Sequence, residues 1–552
     1  MIDKTTLAMP YEPAPEYSKK VAYMCMEFGI DQALKLYSGG LGYLAGSHMR
    51  SAYQLKQNLI GIGMLWRYGY YDQDQDMHGH MVAQFRRKYY TFLKDTGIMV
   101  EVFIKSYAVK VKALYLDPAI FGTIPMYFLT TDIPENDGLS RSIMERLYHP
   151  NDATRVAQSI VLGIGGAKVT EAIGGVELFH INEAHALPVA FHLLKKHHGK
   201  LDSVKKELVF TTHTPEKAGN SVMSIHLLNE MGFFDGIPLE TVRKVTGMPY
   251  NDFEYTPAAL RMAGKSNGVS QLHGEVSRTM WKDYDNTCEI TSITNAQDEK
   301  FWTDKSLKAA LDNNDDVALV TRKKLLKERL FKIVANQVGD LFDPNVLTIV
   351  WARRFAGYKR PDLILRDYER FKKMISNPKY PVQIIWAGKP YPEDMAGVNQ
   401  FNYIVGQTYK VPRMCVLTGY ELELSAALKK GADLWLNTPR RPQEASGTSG
   451  MTAAMNGAIN LSINDGWIPE FARDGENSFI VPEADVTASI NDQDNHDNYL
   501  LMEMLEKEII PMYYENQAEW TRIMKNSMTD VVPQFDSKRM AHEYYELMYN
   551  QV

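Results

Sequence analysis

The stretch that decides the fold is TIVWARRFAGYKR, residues 348–360. Its first four residues, Thr348–Trp351, form a short apolar run with β-branched and aromatic side chains, which predicts a buried strand. A basic turn that contains a glycine follows at once and ends the strand. A buried strand that leads directly into charged residues is typical of a parallel sheet with a ligand site at its carboxyl edge.

Apolar runs of the same kind recur along the chain, with longer amphipathic segments between them. They are Val21–Met26, Val100–Ile104, Val176–Ile181, Glu207–Thr211, Val382–Ala387, Met414–Leu417 and Asp433–Leu436. This alternation predicts an α/β protein whose parallel sheets are covered by helices. Because 552 residues are too many for one ordinary core, we predict two doubly wound, Rossmann-like domains, residues 1–295 and 296–552, facing an interdomain cleft.

Two helices flank the predicted boundary, one over Gly268–Tyr284 and one over Asp315–Asp340. The polar stretch 313–316 lies between them, and we assign it to the linker. Further on, residues 491–498 are almost all polar and predict a loop before a helix over Tyr499–Ile509. A helical tail then completes the second domain.

The composition is that of a globular protein, with 45% hydrophobic and 23% charged residues. A net charge of −6 argues against a polyanion-binding face, so we exclude nucleic acid as a partner and expect phosphate to bind at a local cluster. The three cysteines, Cys25, Cys288 and Cys415, form no CxxC pair or disulfide framework, which indicates a reducing compartment. Without a signal-like or membrane-spanning segment, we expect a cytoplasmic protein with no membrane partner.

The basic turn after Thr348–Trp351 supplies the strongest argument for phosphate binding. Arg354 and Lys359 lie five residues apart at the strand end. This spacing lets a planar bidentate donor and a flexible ammonium reach one phosphoryl group. We therefore predict that these two side chains form a phosphate clamp.

A glycine-rich segment in the same half reads Glu444-Ala445-Ser446-Gly447-Thr448-Ser449-Gly450-Met451-Thr452. It places a carboxylate and successive backbone amides at a predicted helix start. The Glu444 carboxylate can hold sugar hydroxyls, while the amides can bind a phosphate or a developing oxyanion. The candidate amides belong to Ser446, Gly447, Thr448, Ser449 and Gly450.

The first half has a glycine loop of its own, residues 38–42, between a strand and a helix predicted over Tyr43–Lys56. The loop contains Gly39, Gly40 and Leu41. Glycines before a helix let backbone N–H groups approach an anion. The pattern alone is weak evidence, since a tight turn without a ligand has the same composition.

Two polar segments of the first half follow apolar strands. One contains His180, Asn182 and His185, and the other contains His213. The two histidines of the first segment have the H-x-x-x-x-H spacing. Because His180 lies at the end of a strand rather than on a helix, we predict no metal site there.

These segments, in this order, resemble the α-glucan phosphorylases, which include the glycogen, starch and maltodextrin phosphorylases. The resemblance runs from about Val21 to Asp465 and includes the Arg354–Lys359 spacing, the glycine-rich segment and the pair Thr294-Asn295. It implies the two-domain glycosyltransferase fold of the glycogen phosphorylase type. The chain departs from the family after Asn295, where an alanine replaces a glycine and the usual basic pair is absent.

The resemblance also implies a role for each candidate residue. The donor sugar and its phosphate would lie near Gly39, Gly40, Leu41, His213, Asn295 and Glu444. The acceptor side would be lined or supported by Asn182 and His185. Lys389 would approach the phosphate or cofactor, and Tyr420 would lie where the family's tyrosine contacts pyridoxal.

The family's pyridoxal phosphate is held by a lysine eight residues after the opening glutamate, and here that position is Thr452. A Schiff base needs a primary amine, so we predict no covalent pyridoxal phosphate. Retaining nucleotide-sugar glycosyltransferases of the same fold have a glutamate at that place. In those enzymes the donor's diphosphate occupies the region of the cofactor phosphate.

The favoured hypothesis is a retaining glycosyltransferase that moves a glucosyl group from a nucleotide sugar or sugar phosphate to an α-glucan or oligosaccharide acceptor. Arg354 and Lys359 would stabilise the leaving phosphate, while Glu444, Asn295 and His213 would orient the sugar. The first alternative is an α-glucan phosphorylase that releases glucose 1-phosphate, with pyridoxal phosphate held non-covalently or with phosphate used differently. The second is a non-catalytic glucan-binding relative, which would have no need of a phosphate clamp. The sequence leaves the oligomeric state open, a homo-oligomer included.

Overall fold

A computed structural model describes residues 7–552 of the chain. The chain divides into two compact units near the predicted boundary, between Asn295 and Ala296. Two segments depart from the expected division into 1–295 and 296–552. Asp72–Gln84 belongs to the second unit, and Ser537–Val552 belongs to the first.

The strands account for the two large sheets and for two small antiparallel pairs, β3–β4 and β10–β11. In chain order they are β1 Val21–Met24, β2 Leu59–Met64, β3 Asp72–Gln75, β4 Met81–Gln84, β5 Lys94–Ile104, β6 Tyr107–Leu116, β7 Met126–Thr130, β8 Leu178–Asn182, β9 Leu208–Thr211, β10 Val222–Ser224, β11 Asp252–Glu254, β12 Lys265–Gly268, β13 Ile290–Ser292, β14 Leu347–Ala352, β15 Val382–Ala387, β16 Met414–Leu417, β17 Leu434–Asn437, β18 Ile459–Ile463 and β19 Ser478–Val481. Strands β15 and β16 begin and end at the residues that the apolar runs predicted.

The α-helices lie mostly between the strands. They are α1 Gly40–Gln54, α2 Pro118–Phe121, α3 Gly138–Ser142, α4 Asp152–Ile160, α5 Gly166–Ala172, α6 Pro188–Lys196, α7 Leu201–Lys205, α8 Ile225–Met231, α9 Leu239–Thr246, α10 Tyr255–Met262, α11 Gln271–Met280, α12 Glu299–Trp302, α13 Lys305–Asp312, α14 Asp316–Val338, α15 Tyr368–Ile375, α16 Met395–Thr408, α17 Leu422–Gly431, α18 Thr448–Ala454, α19 Ile468–Phe471, α20 Ile490–Met504, α21 Ile510–Glu515, α22 Gln517–Phe535 and α23 Ser537–Glu543.

The sheet of the first unit has the strand order β13-β12-β9-β8-β1-β2-β7-β6-β5 among the described residues. Strand β1 is parallel to both of its neighbours, β2 and β8. The chain builds outward from β1 in one direction through β2 and β7, and in the other through β8, β9, β12 and β13. The order therefore reverses between β1 and β8, which is where ligands bind in sheets of this type.

The sheet of the second unit is parallel throughout the part of the chain that the structure describes, with the order β16-β15-β14-β17-β18-β19. This is the doubly wound order, and it reverses between β14 and β17. Successive side chains of β14 pack into two separate clusters, Ile349 and Trp351 into one and Val350 and Ala352 into the other. Both faces are thus buried, which explains the continuous apolar run that predicted the strand. The prediction of two doubly wound α/β domains is confirmed.

The prediction of a loop over residues 491–498 is wrong, because α20 begins at Ile490. The side chain of Ser489 caps the helix by accepting a backbone N–H from its first turn. Two acidic residues of this segment are paired, since Arg360 donates to Asp494 at 2.8 Å and to Asp497 at 2.7 Å. The local composition of residues 491–498 could not predict this pairing with Arg360, which is far away in the sequence.

The polar stretch 313–316 is also misassigned as a linker between the domains. It lies inside the second unit, as the turn between α13 and α14. Asp315 caps α14 by accepting the backbone N–H of Ala318, so its polarity serves helix initiation. No helix among the described residues is long and apolar enough to cross a membrane.

Candidate functional site

The clearest cluster of charged side chains lies at the switch point of the second sheet, where β14 and β17 end. Arg353 follows β14 directly, and Asn437 is the last residue of β17. The chain then runs on to Glu444. Arg353 donates from Nη2 to Asn437 Oδ1 at 3.0 Å and from Nη1 to Glu444 Oε2 at 3.1 Å. Lys359 Nζ donates to the same Glu444 oxygen.

All three charged groups of this cluster are buried. Burial by itself raises the pKa of the Glu444 carboxyl, but the charges of Lys359, Arg353 and Arg354 outweigh it and hold the pKa below its usual value. The carboxyl is therefore ionised at neutral pH. Buried charges interact more strongly than charges in water, so the cluster is a concentrated positive site that one carboxylate only partly neutralises.

The two adjacent arginines have different places in the structure. Arg353 is buried in the cluster, whereas Arg354, the predicted clamp residue, is exposed. Arg354 still acts electrostatically on Glu444. The contact of Lys359 with the carboxylate was not expected either, because the sequence assigned Glu444 to sugar hydroxyls. Alternation along β14 puts Arg353 on the face of Ile349 and Trp351, but the sequence alone did not show which face carries the site.

The glycine-rich segment forms the loop before α18, which begins at Thr448 with Gly447 at φ 93° as its N-cap. Gly450 packs closely against β18, because a Cβ at this position would lie 2.6 Å from Asn460 Oδ1. Ser446 is buried, and its Oγ has no hydrogen-bond partner among residues 7–552. Ser449 accepts a hydrogen bond from the Thr452 hydroxyl at 3.1 Å. The predicted amides thus lie together, directly after the carboxylate of Glu444.

A turn after β18 fixes this loop. Asp465 Oδ2 accepts the backbone N–H of Glu444 at 2.9 Å, and the N–H of Trp467 donates to Ser446 O at 2.9 Å. Burial raises the pKa of Asp465 to about 7. Gly466, which lies between Asp465 and Trp467, has φ +64° and approaches the glycine-rich loop so closely that a Cβ on it would lie 2.2 Å from Ser446 O. Only glycine meets both requirements.

Replacing Gly466 by alanine is expected to lower the free energy of unfolding by about 3–5 kcal/mol, because left-handed backbone strain and a steric clash add. Gly475 is the matched control, since it has φ +68° and open space around its Cβ. Gly475→Ala should cost only about 1–2 kcal/mol, the strain without the clash. Urea unfolding of both variants measures the difference. Equal costs would show that the close approach to Ser446 has no energetic role.

Lys389 and Tyr420 lie two and three residues after the ends of β15 and β16, respectively. Lys389 Nζ donates to Glu421 Oε1 at 2.9 Å, so this cation is paired with a carboxylate of its own. The Tyr420 hydroxyl donates to Ala352 O at 3.2 Å, next to Arg353. Burial raises the pKa of Tyr420 to about 12, which keeps the hydroxyl protonated.

The hairpin β3–β4 supplies a residue that the sequence reading missed. Gln73 Nε2 donates to Gly388 O at 2.8 Å, and its Oε1 accepts the N–H of Gly419 at 3.1 Å. One side chain thus ties together the two turns that carry Lys389 and Tyr420. A hairpin more than 300 residues away in sequence gave no local signal of this contact.

In the first unit, the glycine loop at the switch point is held by a buried carboxylate. Glu27 accepts the N–H of Ser38 at 2.7 Å and the N–H of Gly39 at 3.2 Å. The predicted anion contact of Gly39 is therefore occupied by this side chain. Gly40 and Leu41 open α1, in the first turn, where amides have no partner within the helix.

The predicted sugar-site histidine is joined to Asn182. His213 Nε2 lies 2.6 Å from Asn182 Oδ1. Because that oxygen only accepts, Nε2 donates and Nδ1 is left as an acceptor. Burial lowers the pKa of His213 to about 3, with help from His273 and His185, so the ring is neutral at pH 7. A neutral imidazole with a fixed tautomer suits hydrogen bonding to a sugar hydroxyl.

Three predicted site residues have buried polar atoms without a partner among the described residues, namely His185 Nδ1 and Asn295 Oδ1 in the first unit and Ser446 Oγ in the second. Nε of Arg353, which was not predicted, is buried without a partner in the same way. Burial lowers the pKa of His185 to about 4, so it too is neutral. Buried polar atoms are nearly always satisfied in proteins, and such atoms in a site are places for ligand oxygens.

The residues present do not fit a covalently held pyridoxal phosphate. Thr452 is buried, and its side chain is a hydroxyl engaged with Ser449 O. Lys359 and Lys389 are committed to carboxylates. The amine of Lys323 is buried and donates to Asn456 O, four residues after Thr452. The prediction that no covalent cofactor is held stays a prediction.

Comparison with known proteins identifies the family of the chain. The family profile described as carbohydrate phosphorylase matches residues 275–509. The chain is 46% identical to an uncharacterised protein of Methanocaldococcus jannaschii, over 96% of the chain and 100% of that relative. It is 33% identical to maltodextrin phosphorylase of Thermococcus litoralis, over 97% of the chain and 71% of the relative. It is 31% identical to glycogen phosphorylase of Aquifex aeolicus, over 97% and 87%. The resemblance found in the sequence is confirmed, and the chain belongs to the carbohydrate phosphorylase family.

Proposed function

We propose that the protein is a retaining glucosyltransferase that acts on α-glucan-type substrates and uses a nucleotide sugar as donor, without covalent pyridoxal phosphate. One observation carries the proposal: Arg353 and Lys359 converge on a single carboxylate at the switch point of the second sheet, next to a loop whose helix has Thr452 in place of an amine. A cation cluster without a cofactor anchor suits a donor that brings its own phosphates.

The charges of the cluster favour an anion. Arg353 and Lys359 carry two positive charges, and Glu444 compensates one of them. A diphosphate leaving group would neutralise the surplus. Because the cations are already in place, they stabilise negative charge as the glycosidic bond to the donor breaks, without the cost of reorganising solvent.

The first unit would hold the sugars. His213 presents Nδ1 as an acceptor for a hydroxyl, and Asn295 Oδ1 is a buried acceptor in need of a donor. Asn182 fixes the tautomer of His213, and His185 offers a further nitrogen. Holding donor and acceptor by such fixed groups lowers the entropic part of the barrier. In a retaining transfer, the acceptor attacks on the face from which the phosphate departs.

Phosphorolysis of an α-glucan is the second candidate, and the relatives named maltodextrin phosphorylase and glycogen phosphorylase favour it. Inorganic phosphate would then occupy the same cation cluster and become glucose 1-phosphate. Without covalent pyridoxal phosphate, as proposed here, this route would need pyridoxal phosphate bound non-covalently or another acid–base group. A non-catalytic glucan binder is the third candidate, and the buried cations argue against it.

A thermal-shift panel separates these candidates. UDP, ADP or GDP, whichever is the leaving group, is expected to stabilise the protein by about 2.7 kcal/mol at 100 times its Kd. The shift should disappear in Lys359→Ala and persist in Lys373→Ala, which removes an exposed lysine of α15. Stabilisation by phosphate and pyridoxal phosphate, but by no nucleotide, would move the assignment to phosphorolysis. If a separate activity assay detects no glucosyl transfer with any donor, only glucan binding remains.

Borohydride reduction in the presence of pyridoxal phosphate tests the cofactor prediction. The wild-type protein is expected to gain no pyridoxyl adduct in the peptides of α17 and α18, by mass spectrometry. Thr452→Lys restores an amine at the family's position and is the matched positive control. A stoichiometric adduct on a lysine of the wild-type protein would contradict the prediction.

A further inference from the structure

Glu183 has the most unusual backbone of the first unit's site. It lies directly after β8, at the switch point of the sheet, with φ 67° and ψ 160°. This region is almost restricted to glycine, because a Cβ collides with the neighbouring backbone there. If the turn needed only this conformation, glycine would serve better. A glutamate kept in such a conformation indicates that its side chain is needed.

The contacts of the carboxyl group show what the side chain does. Glu183 Oε1 accepts the backbone N–H of His213 at 3.3 Å, and Oε2 accepts the Thr214 hydroxyl at 2.8 Å. Its own N–H donates to Thr211 O at 2.9 Å. Glu183 is therefore hydrogen-bonded once to the last residue of β9 and twice to the segment that follows β9. Burial raises the pKa of the carboxyl to about 7, against the effect of these hydrogen bonds.

The neighbouring residue completes the arrangement. Asn182 Oδ1 accepts a hydrogen bond from Nε2 of the His213 ring at 2.6 Å. Glu183 Oε1 accepts one from the backbone N–H of the same histidine. Two consecutive residues of one strand end thus fix His213 at both ends. The ring and the backbone of His213 are thus both held from the end of β8, the ring by Asn182 and the backbone by Glu183.

We propose that Glu183 is a positioning residue that fixes His213 and Thr214 after β9, and thereby sets where the His213 imidazole meets the sugar. The part that concerns sugar rests on the function proposed above. The part that concerns His213 does not, because the position and mobility of the histidine can be measured without any substrate.

The decisive variant is Glu183→Gly, which keeps the backbone conformation and removes the carboxyl. The melting temperature is expected to stay the same or to rise, because strain is relieved. Hydrogen exchange of the peptide that contains residues 211–214 should become at least tenfold faster. In protein with ¹³C-labelled histidine, the His213 ring signal should move, with His213→Ala identifying it among the 14 histidines. If the proposed transfer occurs, KM for the donor should rise about tenfold.

Two further variants control the result. Glu183→Gln keeps the strained backbone and one acceptor oxygen, so it should restore at least part of the protection and of the ring signal. Asn286→Gly relieves a positive φ of 58° elsewhere in the first unit and should change neither.

Unchanged exchange and an unmoved ring signal in Glu183→Gly would overturn the inference. A lower melting temperature with uniform loss of protection across β8 and β9 would overturn it too, by showing a purely structural role. Absence of activity in the wild-type protein would refute the proposed function only.

Discussion

Replacing Lys359 by alanine is expected to lower the turnover number of the proposed glucosyl transfer about 10³-fold, because it removes a buried cation at the place where the leaving phosphate would gain charge. The remaining guanidinium of Arg353 would be shared between Glu444 and the phosphate. Initial rates at saturating donor and acceptor measure the effect. The loss should be in the turnover number more than in KM, since the stabilised charge develops only in the transition state.

The two arginines sharpen this test. If contact with the phosphate comes from the buried cluster, Arg353→Ala should be as damaging as Lys359→Ala, whereas Arg354→Ala should cost less because Arg354 is exposed and acts at longer range. Lys373→Ala serves as the control for loss of a surface charge. A rate within threefold of the wild-type rate in Lys359→Ala would refute the role of the cluster.

Replacing Glu444 by alanine is expected to lower the free energy of unfolding by about 3–5 kcal/mol, because it leaves Arg353 and Lys359 buried without their shared carboxylate. Phosphate or sulfate should restore part of this loss by entering the vacated position, and should stabilise the variant more than the wild-type protein. Urea unfolding with and without the anion measures both effects. An unchanged stability, or a variant insensitive to anions, would show that these cations do not form an anion site.

The pH dependence of stability has a definite sign at Glu444. The folded state holds its pKa below the value of the unfolded chain, which is about 4.3. The ionised group therefore stabilises the fold above that pH, and the stabilisation is lost as the pH falls through the lower, folded-state pKa. Acid unfolding of Glu444→Ala should accordingly show a smaller loss of stability below pH about 4 than the wild-type protein.

The sheets could be predicted because both of their faces are buried. Strands such as β15 and β16 are mainly apolar, are buried along their whole length and are followed within two residues by a glycine, and parallel sheets require such runs. The same logic predicted a phosphate-binding pair at the end of β14, but it chose Arg354, whereas the structure buries Arg353 with Lys359 and Glu444. Arg353, Lys359 and Glu444 lie where the carboxyl edge of a doubly wound sheet places ligand-binding residues.

Other features could not be predicted because they depend on contacts between segments far apart in the chain. Gln73 reaches Gly388 and Gly419 from a hairpin assigned to the first domain by its position in the sequence. Residues 491–498 are helical, and two of their carboxylates, those of Asp494 and Asp497, pair with Arg360 from a segment more than 130 residues away. The choice between Arg353 and Arg354 depends on which face of β14 carries the site. A pattern of residue types contains none of this information.

A crystal structure with bound glucose 1-phosphate would test the central claim most directly, because both candidate reactions use a glucosyl phosphate or its diphosphate counterpart. The account predicts a phosphate oxygen about 2.7–2.9 Å from Lys359 Nζ, with a guanidinium of the Arg353–Arg354 pair on the same group. A phosphate bound elsewhere, with Lys359 and Arg353 still closed on Glu444, would contradict it.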